Sequence, residues 1–278
     1  MFKWHCNSYI YTNNFLYYIQ IIMKLVDYLS QQFNISKRLA KKYIKEKKVL
    51  IDGKFAKENL EITNIENHHI SLNIDIKKIE YNLDEFIISN YENVIFLYKP
   101  PFMHTERHKL EDSLTISDIV SEHFKEYKLI SRLDFETDGV IAAIKDGYKP
   151  ENVLKKYLAV VIGNFPEDTI VFNKIVYKKR KKVKVLEEID LEHLSNIKVI
   201  NSDKNYSLLE ITIFKATRHQ IRAHLSFLGF PILGDTLYGD KQYKRLMLSC
   251  IYTKIDNFEA HSPKKENFIK EYQNLISV

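Results

Sequence analysis

The sequence predicts an α+β protein: a small basic helix-helix-hairpin module, then a larger domain built on a mixed, largely antiparallel β-sheet with flanking helices. Three observations lead there. Apolar residues recur at helical spacing twice between Met23 and Lys48, and a hairpin signal follows. From Tyr91 onward, short β-rich segments alternate with few helices. No glycine-rich loop of the dinucleotide or P-loop kind joins a strand to a helix, which argues against a doubly wound fold.

Residues 1–22, "MFKWHCNSYIYTNNFLYYIQII", are rich in Tyr and Asn and have neither a compact apolar core nor a small-residue cleavage site. They make a poor signal peptide. Two readings stay open, an extension upstream of the real start codon or a genuine ordered tail. The only cysteines are Cys6 and Cys250, which points to a reducing compartment without a disulfide framework, and no Cys/His set has zinc-finger spacing. Apolar runs are interrupted well before the roughly 20 residues that a membrane span requires.

In "MKLVDYLSQQF" the apolar residues Leu25, Val26, Leu29 and Phe33 define a first helix. Ser36 then reads as the N-cap of "KRLAKKYIKEKK", with Leu39, Ala40, Tyr43 and Ile44 on one face and the basic residues Lys37, Arg38, Lys41 and Lys45 elsewhere. One side should pack and the other meet phosphate. "VLIDGKFA" is a hairpin with Asp52-Gly53 at its turn. The net charge of the whole chain is +6, yet residues 24–57 alone hold ten Lys or Arg against three acids. A second run, "YKKRKKVKV" at 177–185, adds six positive residues and no acid. Localised positive charge of this kind makes nucleic acid the leading partner class.

Residues 73–90 are acidic and aperiodic and read as a linker between a module at 23–72 and a domain at 91–278. The second domain offers the strands "NVIFLYKP", "LISRLD", "VIAAIK", "KKYLAVVIG", "KKVKVLEEI" and "YSLLEITIF", then the helix "HQIRAHLSFLG". Chemistry-bearing residues gather in four segments. "YKPPFMHTE" holds Lys99 and His104 in a proline-stiffened loop. "SRLDFETDG" places Arg132 and Asp134 on one face of a strand, either as a structural ion pair or as the working end of a site. "KKYLAVVIG" puts Tyr157 at the head of a buried strand. "KATRHQIRAHLSFLGFPILGDTLYG" would show Arg218, His219 and Arg222 along one side of a helix begun there, with Gln220 between them. His219 and His224 are five apart, on different helix faces, which makes metal binding by the two improbable.

Two resemblances follow. "SKRLAKKYIKEKKVLIDGKFAKENLEI" resembles the RNA-binding domain named after ribosomal protein S-four, over about residues 24–70. The four later segments resemble the RluA-type family of pseudouridine synthases, whose patterns are K-P-x-G-x-x-x-H, H-R-L-D-x-x-T-S-G, Y-L-A-x-V-x-G, and G-R-T-H-Q-I-R-x-H-L followed by G-x-P-I-x-G-D-x-x-Y-G. Here the corresponding text is "KPPFMH", "SRLDFETDG", "YLAVVIG", and "ATRHQIRAHL" with "GFPILGDTLYG", in the same order.

The resemblance implies an enzyme that isomerises uridine in RNA, working in the cytoplasm as a monomer without cofactor or metal. It implies Asp134 as the catalytic aspartate, Tyr157 as the tyrosine that packs on the base, and Arg222 as the basic partner of the aspartate. Arg132 is implied as the arginine that fills the space a flipped base leaves. Arg218, His219, Gln220 and His104 are implied as substrate contacts, with Lys37, Arg38, Lys41 and Lys45 as RNA contacts of the first domain. Ribosomal RNA of the large subunit is expected ahead of transfer RNA. Departures fall at Ser131, where the family has histidine, at Asp138, where it has serine, and at Arg218, one place later than the family's arginine. Two other readings are a catalytically silent RNA-binding or ribosome-assembly factor and a hydrolytic glycosidase. The latter would want two carboxylates across a pocket.

Overall fold

The computed structural model describes residues 22–33, 35–57, 60–74, 80–108, 113–177, 182–239 and 242–277. The extension up to residue 21, with Cys6, and the central part of the basic run, 178–181, lie outside the described residues. The chain forms two compact units, Met1–Ile76 and Lys77–Val278.

The first unit runs β1 (Ile22–Lys24), α1 (Leu25–Gln32), α2 (Lys37–Lys45), β2 (Val49–Ile51), β3 (Lys54–Phe55), β4 (Glu61–Thr63) and β5 (Ile70–Leu72). The Ser36 side chain caps α2 by accepting from the Leu39 N–H at 3.2 Å. Leu39, Ala40, Tyr43 and Ile44 are buried along α2, while Lys37, Arg38, Lys41 and Lys45 are exposed. Asp52 and Gly53 take φ values of 49° and 78°, the left-handed pair that a two-residue hairpin turn between β2 and β3 requires.

The second unit contributes β6 (Ile87–Asn90), β7 (Val94–Lys99), α3 (Ile116–His123), β8 (Tyr127–Leu129), β9 (Asp138–Lys145), β10 (Val153–Ile162), β11 (Thr169–Val171), β12 (Asn173–Tyr177), β13 (Val183–Ile189), β14 (Ser195–Ser202), β15 (Tyr206–Ile213), α4 (Gln220–Phe227), β16 (Leu248–Ile255), β17 (Phe258–His261) and α5 (Lys265–Ile276). Its sheet has ten strands among the described residues, in the order β11-β14-β15-β10-β16-β9-β7-β6, with β17 beside β16 and β8 beside β9. The sheet is mixed, as expected. Its one parallel joint among the described residues pairs β9 with β16, Asp138 opposite Ser249 and Gly139 opposite Cys250. At Gly139, where φ is +125°, a Cβ would lie 2.1 Å from the Cys250 carbonyl oxygen, so the joint accepts only glycine. β12 and β13 form a separate two-stranded ribbon whose connection carries the basic run. No helix among the described residues is long and apolar enough to cross a membrane.

Three local expectations are corrected. Residues 73–90 are not wholly linker, because Leu83–Glu85 forms a 3-10 turn and β6 pairs with β7 at the sheet edge. Second, β8 ends at Leu129, so Arg132 and Asp134 lie on a loop. There the Leu133 N–H donates to Thr105 Oγ1 at 3.1 Å and Thr105 Oγ1 donates to the Leu133 carbonyl at 2.8 Å, taking the place of ladder bonds. Third, α4 begins after His219, which holds a left-handed φ of +56°, so Arg218 precedes the helix and shares no face with Arg222.

Asp138 now has a role. Its carboxylate, buried in the sheet, accepts from Arg245 Nη1 at 2.7 Å, Ser249 Oγ at 3.0 Å and the Tyr98 hydroxyl at 3.4 Å. Arg245 in turn pairs with Glu271 of α5. The charge is therefore structural. Because removing one partner leaves the other buried and under-paired, Asp138→Ala should destabilise the protein by about 3–5 kcal/mol in urea unfolding; a loss below ~1 kcal/mol contradicts the assignment.

Candidate active site

Asp134 lies on the loop between β8 and β9, its side chain 29% exposed, and its Oδ2 accepts from Arg222 Nη1 at 2.6 Å. Arg222 stands on the first turn of α4 and is itself buried. Its other face is held by Asp235, which accepts from Nε and from Nη2 at 2.8 Å each. Asp235 Oδ1 also receives the backbone N–H groups of Leu237 and Tyr238 at 2.9 Å. One guanidinium thus bridges two carboxylates, one fully enclosed and one facing a cleft. Burial pushes the Asp235 carboxyl upward, but the Arg222 hydrogen bonds and charge, with the two N–H groups, hold it below its ordinary value. Arg222 is raised above its own by the same contacts, against the cost of burial.

The cleft, about 400 Å³ with its open mouth, is lined by Asp134, Tyr157, Ile213, His219, Arg222 and Leu248 among others. Tyr157 is buried at a bulge of β10, opposite Cys250 of β16. Burial and the neighbouring Cys250 push its hydroxyl well above the ordinary tyrosine value, so the phenol keeps its proton at neutral pH. His219 places Nε2 3.8 Å from Asp134 Oδ1, and its Nδ1 hydrogen-bonds the Tyr238 hydroxyl at 3.0 Å. Burial lowers its pKa, more than the Asp134 charge raises it, which favours the neutral ring.

Arg132 reaches outward, 63% exposed, to Glu106 at 3.3 Å, a pair of the exposed kind that contributes about 0–1 kcal/mol. Its guanidinium is readily released. Arg218 is exposed and its backbone N–H donates to the Tyr177 hydroxyl at 3.3 Å. His104 packs its ring on Phe135, centroids 4.5 Å apart. Gln220 borders the cleft, and its buried amide is engaged in seating α4. Oε1 accepts from the Thr217 N–H, and Nε2 donates to the His193 and Leu194 carbonyls and Ser195 Oγ. His224 is likewise structural, bonded to Ser195 Oγ and the Asn173 carbonyl. Lys37, Arg38, Lys41 and Lys45 belong to the first unit, where Lys37 pairs with Asp27 at 2.7 Å.

Sequence reasoning missed Asp235. Its only signal was a carboxylate after glycine in "ILGDTLYG", which reads as turn chemistry. It also missed Lys155, whose buried ammonium donates to the Ser131 hydroxyl and so gives a purpose to the serine that departs from the family pattern. Lys99 is a third anchor. Its buried ammonium donates to the carbonyls of Pro100, Met103 and Phe135 at 3.0, 2.8 and 3.3 Å, tying the proline loop to the Asp134 loop. Burial brings it down to about 7, against the charges of Asp138 and Asp134.

Comparison with known proteins places this arrangement. The model of the RNA pseudouridylate synthase family matches residues 93–227. An uncharacterized RNA pseudouridine synthase of Helicobacter pylori strain J99 is 32% identical over 263 residues, 85% of this chain and 96% of the relative. The ribosomal large subunit pseudouridine synthase C of Rickettsia typhi is 24% identical over 254 residues, 80% of this chain and 84% of the relative. Among solved structures, human RNA pseudouridylate synthase domain containing 1 shares the fold with a TM-score of 0.54 at 19% identity, over 67% of this chain and 86% of that one.

The pH dependence of the bridge has a definite sign. Asp235 is held below its ordinary 3.8, so the stability it brings is complete above that value and is lost as pH falls through the lower folded value. Asp235→Asn should cost about 3–5 kcal/mol at pH 7. It should also remove part of the stability loss that the parent shows below about pH 4. Urea titrations from pH 2 to 7 check both, and an unchanged acid limb for the variant contradicts the ion-pair role.

Proposed function

The chain belongs to the RluA-type family of RNA pseudouridine synthases, and from that premise we propose that it converts specific uridines of large-subunit ribosomal RNA to pseudouridine, with Asp134 as the catalytic carboxylate. The observation that carries this reading is the carboxylate itself, fixed at 2.6 Å by a buried guanidinium and facing a cleft walled by Tyr157.

The reaction breaks the bond from uracil N1 to the sugar C1′, turns the ring, and joins C5 to C1′. The C5 proton is lost and N1 ends protonated, so no electrons enter or leave. A uridine within a helix is out of reach, and flipping it costs a few kcal/mol, less in a loop. Arg132, released from its weak pair with Glu106, is placed to fill the gap. Asp134, held in place by Arg222, serves as nucleophile or as stabiliser of a cationic sugar. The Tyr157 ring sets the plane about which uracil turns, and its phenol, which keeps its proton, offers a hydrogen bond rather than the proton itself.

Support for a ribosomal substrate comes from the name of the Rickettsia typhi relative and from the basic face of α2 in the first unit, which suits phosphate contacts that add affinity with little sequence information. A ribosomal RNA substrate supports reading the enzyme as cytoplasmic. The presence of Asp134, Tyr157 and Arg222 in one cleft argues against a silent binding factor. Asp138 is buried in an ion pair with Arg245, which removes the second carboxylate that a hydrolytic glycosidase would need.

Asp134→Asn should bind RNA as the parent does yet release no tritium from RNA labelled at uridine C5; appreciable turnover by this variant sinks the assignment. Exchanging Lys37, Arg38, Lys41 and Lys45 together for Gln should weaken RNA binding. The slope of log affinity against log salt should fall by about 3, at roughly 0.7–0.9 for each phosphate no longer neutralised. An unchanged slope assigns the RNA contacts elsewhere.

A further inference from the structure

Phe102 and Phe135 are large apolar rings that the fold leaves 48% and 41% exposed. Phe135 directly follows Asp134, on the loop whose Arg132, Leu133, Asp134 and Thr137 line the cleft. Phe102 holds a φ of +62°, in the left-handed region that bulky side chains avoid. Such strain persists only where the surroundings impose it. Here the imposing contact is the Phe135 carbonyl, which receives the Phe102 N–H at 2.8 Å and the buried Lys99 ammonium at 3.3 Å.

Two loops are thus clamped backbone to backbone, and the clamp sets the two rings 6.0 Å apart at 70°. The His104 ring lies tilted by 35° on Phe135 at 4.5 Å, and the His108 ring meets His104 edge-on at 4.6 Å. A connected set of rings is therefore held in place at the surface rather than in the core. Covering those rings is favourable, and their position beside the carboxylate indicates what covers them.

We infer that Phe102 and Phe135 form a stacking platform for the unpaired base next to the target uridine in the RNA. The inference rests on the proposed reading of the Asp134 cleft as the uridine site. Flipping a uridine takes a stacking partner from its neighbour, and an aromatic ring on the loop that lines the cleft replaces it. A ring platform suits any base, because each has a flat face, so it adds affinity without fixing sequence.

The test uses the full chain and a fluorescein-labelled single-stranded dodecamer of uridylate, with Kd measured by anisotropy over a range of salt. The Phe102→Gly change removes one ring and suits the left-handed backbone, Phe135→Leu removes the other, and Phe135→Trp keeps a stacking surface. The double variant Phe102→Gly/Phe135→Leu should raise Kd roughly 5- to 150-fold through loss of the stacked base, with the salt slope unchanged. Phe135→Trp should stay within threefold of the parent, and Phe102→Gly should melt no lower than the parent. A Kd for the double variant within twofold of the parent overturns the platform, as does a weakening that comes with a shallower salt slope. Tritium release by the parent tests the reaction separately. Absence of turnover with a ring-dependent Kd counts against the proposed reaction and for the platform, whereas turnover with a ring-indifferent Kd removes the platform alone.

Discussion

A guanidinium held between two carboxylates is the interaction on which the site depends. Arg222 is buried, and a buried cation with one partner at the rim of an open cleft would move whenever that partner was solvated. Asp235 removes that freedom. It takes two of the guanidinium's N–H groups from below, leaving Nη1 aimed at Asp134, and its remaining acceptor capacity is filled by the Leu237 and Tyr238 N–H groups. The enclosed pair is neutral as a unit, so the negative charge left over belongs to the carboxylate that faces the cleft. A single Arg-Asp pair would have cancelled that charge.

The loop that carries Asp134 is fixed by equally specific means. β9 begins four residues after Asp134, in the parallel joint with β16, and Gly139 lets the two backbones approach so closely that any side chain would be excluded. Asp138 and Arg245 lock that joint to α5. From the other side, Thr105 bonds both backbone groups of Leu133, and Lys99 and Lys155 reach the loop through the Phe135 carbonyl and the Ser131 hydroxyl. Buried lysines are costly; Lys155 bonds this loop through Ser131, and the three Lys99 bonds tie it to the proline loop.

Much of the local structure was legible because local rules decide it. Ser36 before an amphipathic basic run announced α2, and Asp-Gly announced its hairpin. The site was only half legible. The residue types and order of the four motifs carried Asp134, Tyr157 and Arg222 through resemblance, while spacing alone read Arg132 and Asp134 as strand residues sharing a face. That reading failed because the backbone of Leu133 bonds to a threonine side chain 28 residues away, a partner with no periodic signature. Asp235 and Asp138 escaped for a related reason. A carboxylate in a turn or at a strand start has a sufficient local explanation, and its ionic partner lies 13 residues away in one case and 107 in the other.

Which cation partners Asp134 follows from which neighbour can titrate. His219 is the nearer alternative cation, at 3.8 Å, and a protonated imidazole there would compete with Arg222 for the carboxylate. Burial disfavours that proton, and the charges of Arg222 and Arg218 add to the effect, outweighing the attraction of Asp134. The ring is instead engaged by the Tyr238 hydroxyl, whose backbone N–H is bound by Asp235. Asp235 therefore acts twice: it fixes the cation that does not titrate and, through Tyr238, seats the imidazole that stays neutral. The carboxylate facing the cleft is left with a permanent partner whose charge does not vary across the physiological range.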